Sequence, residues 1–148
     1  MVETAPFPPR PHSRVRQDYC RECQAAFHRH INVELHASYL YLSLAFYFDR
    51  QGMALKHFPT FFVWQWREAQ EQVQTLMQLQ KQRGGRILLG DIPRPDPCRW
   101  ESSQMARKAT LQMRRMVDQH LLNRSHLATI RNDAHLCDFL DITTCARM

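Results

Sequence analysis

INVELHASYLYLSLAFYFDR, residues 31–50, contains neither proline nor glycine, and its apolar and small residues recur in steps of three and four. Read together with the residues before it, from about Tyr19, the run sets Ala26, Ile31, Leu35, Ser38, Tyr41, Leu42 and Ala45 on one face of a helix. A helix over about residues 19–48, at roughly 1.5 Å per residue, is about 45 Å long. That is the length of an extended bundle helix. Asp49 to Gly52 ends it.

Outward from this helix, a second periodic run covers about residues 55–83, with Phe58, Phe62, Gln65, Ala69, Gln72, Val73, Leu76 and Leu79 to one side. Proline costs roughly 3 kcal/mol inside a helix and little in the first turn, so Pro59 sets the start near His57. Gly84-Gly85 stops the run, and RILLGDIPRPDPCRW, with three prolines, is extended. A connection of that length crosses a whole bundle, which lets a third helix over about residues 101–129 run parallel to the second. Asn132-Asp133 makes a turn, and a fourth helix over about residues 134–145 is half the length of its partners. The predicted fold is all-α, a four-helix bundle with a long crossover between helices two and three and a truncated fourth helix.

A chain of 148 residues with 44% hydrophobic content is one domain's worth. Glu34, His36, Gln65 and Gln72 interrupt the apolar stretches, so no run reaches the roughly 18 residues of a membrane span. The first eighteen residues hold four prolines and three arginines without an apolar core, which excludes a signal peptide and an amphipathic transit helix. Residues 1–18 are therefore expected to be a disordered tail, residues 19–148 the helical domain, and the location cytoplasmic. Five cysteines are an odd count, expected to stay as thiols. Cys20 and Cys23 form a CxxC that His28 or His30 would complete as a zinc site, but no second pair follows at finger spacing. The net charge of +6 would suit an acidic partner. The basic residues, however, are spread from Arg10 to Arg147, a pattern closer to a solvated surface than to a nucleic-acid interface.

The chemistry rests on carboxylates in apolar faces. Burying a glutamate is costly unless it is paired or binds a metal, and Glu34 falls between Ile31, Leu35 and Ser38, with Tyr41 seven residues on. Glu68 and Glu71, three apart on helix two, can project to one side, as carboxylates do in bundle-core metal sites. The constellation suggests iron.

NVELHASYLYLS, the RGGR bend, DIPRPD, WES and HLCDF resemble the ferritin heavy chain over about Val15 to Asp141. The resemblance implies a ferritin-like subunit, packed with other ferritin chains into a hollow shell that oxidises ferrous iron and stores it as ferric mineral. It places Glu34 and Glu68 as iron ligands, with Tyr41 beside them, and makes Glu71 a cavity-side iron residue, although its partner position is Gln74. It implies that Asp138 and Asp141, beside Cys137, line the channel by which iron enters. It also implies losses: Ala69 and Gln72 stand where helix two would supply Glu-x-x-His, and Arg114 where helix three would supply a glutamate. Two glutamates and a tyrosine are too few for a pair of iron ions, so the iron site is expected to be weak and the chain not an efficient ferroxidase. A further expectation is that Arg114 pairs with Glu34 or Glu68. The segment ITTCARM departs from the family's end, where a full fourth helix and a short fifth would follow. The competing reading is a basic helical interaction or nucleic-acid-binding module that has dropped iron.

Overall fold

The computed structural model describes residues 21–50, 57–95, 100–131, 133 and 135–137. Three long helices dominate: α1 (Arg21–Arg50), α2 (His57–Gln82) and α3 (Ser103–Ile130). Among the described residues there is no strand. The expected helix over 134–145 falls largely outside them, though residues 135–137 are helical, and so does the tail over 1–18.

Each boundary has a local cause. α2 begins at His57, which puts Pro59 in the first turn, where its missing N–H has no helical partner to lose. The far end closes with Gly85 N donating to Gln80 O at 2.8 Å and Gly84 N to Lys81 O at 3.1 Å. Gly84 takes the left-handed φ of 73° that this closing motif requires. α3 starts two residues later than the sequence suggests because Ser102, still extended, caps it: its hydroxyl accepts from Met105 N at 3.2 Å.

Phe48 stacks on Phe58 and Phe62, so the end of α1 meets the start of α2 and the two are antiparallel. Ala37 to Phe48 share a core cluster with Ala106, Met113 and Val117, whereas Cys23, Phe27 and Ile31 share another with Ala128. α3 is therefore antiparallel to α1 as well, and parallel to α2, as the long crossover requires. That crossover lies along α1: His28 Nε2 donates to Arg86 O at 2.6 Å, Asn32 Nδ2 to Asp91 O at 3.3 Å, and Trp100 Nε1 to Ser43 Oγ at 2.9 Å. A Cβ on Gly90 would come within 3.4 Å of Asn32 Oδ1, so the approach of strap to helix is close.

Both flanking helices pack on α1 and not on each other. The groove between them positions the candidate site. At its far end Leu136 is fully buried in the second cluster, and Arg83 grips both carboxylate oxygens of Asp133, which ties the end of α2 to the turn after α3.

Candidate functional site

The two apolar clusters are separated along α1 by a polar layer of His30, Glu34 and Ser38, all at most 2% exposed. Glu34 and His30 are four residues apart on one face, and His30 Nε2 donates to Glu34 Oε1 at 3.0 Å. Ser38 returns its hydroxyl to Leu35 O at 2.6 Å and so makes no demand on the layer. From α3, the ring of His120 stands 6.3 Å from that of His30, and Arg124 lies over Phe27 at 4.9 Å from the ring centre. Burial first, and then the charges of Arg29 and Arg124, lower the pKa of His120 below the ordinary histidine value, favouring the neutral ring.

Beside this layer a cavity of about 300 Å³ opens between α2 and α3. Glu34 and Tyr41 of α1 line it, with Gln65, Glu68 and Ala69 from α2 and Arg114, Val117, Asp118, Leu121 and Leu122 from α3. Glu34 and Tyr41 from α1 and Glu68 from α2 thus meet in one cavity, together with the replacement residues Ala69 and Arg114. Gln72, the third replacement, is half-buried one turn beyond Ala69 and does not line it.

Two expectations are corrected. Arg114 forms no ion pair with Glu34 or Glu68 among the described residues; Glu34 is engaged by His30, and Arg114 is exposed at the lip of the groove. A long cation there keeps its hydration, which pairing at the buried end would strip away. Glu68 and Glu71 do not share a site either. Residues three apart are neighbours on a helix, but here the offset of about 60° between them falls across the edge of the cavity, and Glu71 lines a separate cleft with Gln74, Thr75 and Gln78.

Asp138 and Asp141 lie outside the described residues, while Cys137 is half-buried just before them. Cys20 is also outside, Cys23 is buried, and His28 is held by the strap. Among the described residues no three His, Cys, Asp or Glu side chains gather closely enough to hold one metal ion. Sequence reading missed Asp118, a third carboxylate on the cavity wall, and did not connect His30 to Glu34. The four-residue spacing of His30 and Glu34 was the available signal. For Asp118 the signal was its four-residue spacing from Arg114, which returns it to the same face.

The chemistry available is that of a partly apolar cleft with one buried, histidine-bonded carboxylate, two more on the walls, a phenol and a cation at the mouth. No helix among the described residues is long and apolar enough to cross a membrane. The family model of the ferritin-like domain matches residues 24–143. The matched span takes in α2, the strap, α3 and all of α1 but its first three residues, and the chain belongs to the ferritin family.

Proposed function

We propose that this chain is a heavy-chain-like ferritin subunit, working in the cytoplasm, that binds iron and contributes to its storage within a shell of ferritin chains, with the family's iron-oxidation centre largely lost. The observation that carries the reading is the single cavity lined by Glu34, Tyr41 and Glu68 together with Ala69 and Arg114. The first three supply oxygen donors suited to iron. Ala69 supplies none, and Arg114 places a permanent positive charge at the mouth of a site meant for cations. Like charges repel even when solvent screens them, so Arg114 works against a second iron. Glu71, Asp138 and Asp141 are assigned supporting roles in holding and admitting iron.

Ferrous oxidation in air tests this. The chain is expected to oxidise iron little faster than buffer, and the triple substitution Arg114→Glu, Ala69→Glu, Gln72→His is expected to restore oxidation. A folded triple mutant no faster than its parent contradicts the assignment. A second reading, a basic module for nucleic acid, has one observation on its side: Arg107, Lys108, Arg114 and Arg115 are all exposed along α3. It requires binding that falls steeply with added salt, and absence of DNA binding at low salt removes it.

A further inference from the structure

On the opposite side of α3 from the groove, the strap and two helices enclose a second cleft of about 290 Å³. His36 lines it from α1, Met113 and Met116 from α3, and Pro93 to Pro95 form the strap wall, with Arg94 among them. Met113 and Met116 are three residues apart, hence neighbours on one helical face. Met113 is buried in the floor, whereas Met116 is exposed at the mouth. The ring of His36 is half-buried.

We propose that His36, Met113 and Met116 form a site for a soft monovalent cation, Cu(I). Thioether sulfur and neutral imidazole are the donors that such an ion prefers, and hard divalent ions such as Fe(II) seek anionic oxygens. This cleft has no carboxylate among its lining residues, and Arg94 adds a positive charge that disfavours a dication more than a monocation. Methionine side chains have three rotatable bonds, so the two sulfurs can close on an ion without moving the helix. The site is separate from the iron groove and stands whether or not that reading holds.

The test uses Ag(I), a redox-inert stand-in for Cu(I), on protein whose methionine methyl groups carry ¹³C and whose accessible thiols are alkylated. The methyl signals of Met113 and Met116 are expected to shift together and saturate at about one equivalent, since three donors define one coordination sphere. Met116→Leu, which removes an exposed sulfur and preserves volume, and His36→Gln are each expected to weaken this binding about tenfold or more, equivalent to about 1.4 kcal/mol. Met77→Leu, in the other core cluster, should leave it unchanged. Shifts of neither signal, equal affinity in His36→Gln, or equal shifts with Zn(II) would overturn the proposal.

Discussion

Glu34 keeps a carboxylate at 2% exposure because His30, one turn earlier, donates to it. Replacing Glu34 with Gln preserves an acceptor at the same place and should cost about 1 kcal/mol or less, whereas Glu34→Ala removes the acceptor and opens a void in the buried polar layer and should cost about 3 kcal/mol. Denaturant unfolding of the two variants distinguishes them. His120 gives the pH dependence. Its folded pKa is depressed, so below the ordinary histidine value the unfolded chain binds the proton first. Stability is therefore retained at neutral pH and lost as pH falls from about 6.5, the model-peptide value, toward the folded pKa. His120→Gln should flatten that fall in melting temperature between neutral and mildly acid pH; an unchanged slope would assign the effect elsewhere. At this scale the sequence was partly readable. A glutamate at Glu34, inside an apolar face, announced an exceptional residue, but periodicity identifies a face and not a partner. Arg114 was placed on the right wall by the family resemblance, and its ion pair failed because a flexible five-donor side chain has water as the cheaper partner.

At the scale of the helix, the signals were the punctuating residues. Gly84 at φ 73° ends α2, and an L side chain there costs about 1–2 kcal/mol, so Gly84→Ala is expected to lower stability by that amount in denaturant melts. Ser102→Ala removes the acceptor for Met105 N and should cost about 1 kcal/mol, with fraying visible as faster amide exchange in the first turn of α3. Both boundaries, and Pro59 in the first turn of α2, follow from local chemistry that operates without the rest of the fold. The strap was legible as extended chain from its prolines. Its seating was not, because Asn32, His28 and Ser43 reach it across 57 to 59 residues of sequence and no local pattern encodes such a meeting. The divergence of Glu68 and Glu71 belongs here too. A three-residue step leaves the pair on neighbouring sectors, and the packing of α2 on α1 turns those sectors into two clefts.

For the molecule as a whole, α1 is the spine on which α2 and α3 pack side by side, and the groove between those two carries the candidate iron residues. Burying each of Phe27, Ile31, Leu44, Leu76, Leu79 and Leu136 contributes about 1.5–3 kcal/mol, which holds the three helices in register around a polar layer. Phe46 and Trp64, at 68% and 54% exposure, remain large apolar surfaces that neighbouring subunits would cover in the proposed shell. The bundle and its parallel third helix were legible from helix lengths and from one long proline-rich connection. The assembly was not, because contacts between copies leave no periodic signature within one copy. Native mass by size-exclusion with light scattering, on this chain co-expressed with a complete ferritin chain, tests the storage role most directly. The account predicts that the chain is found in shell-sized particles alongside its partner. Recovery only as small or aggregated species, with the partner's shells free of it, would contradict the account.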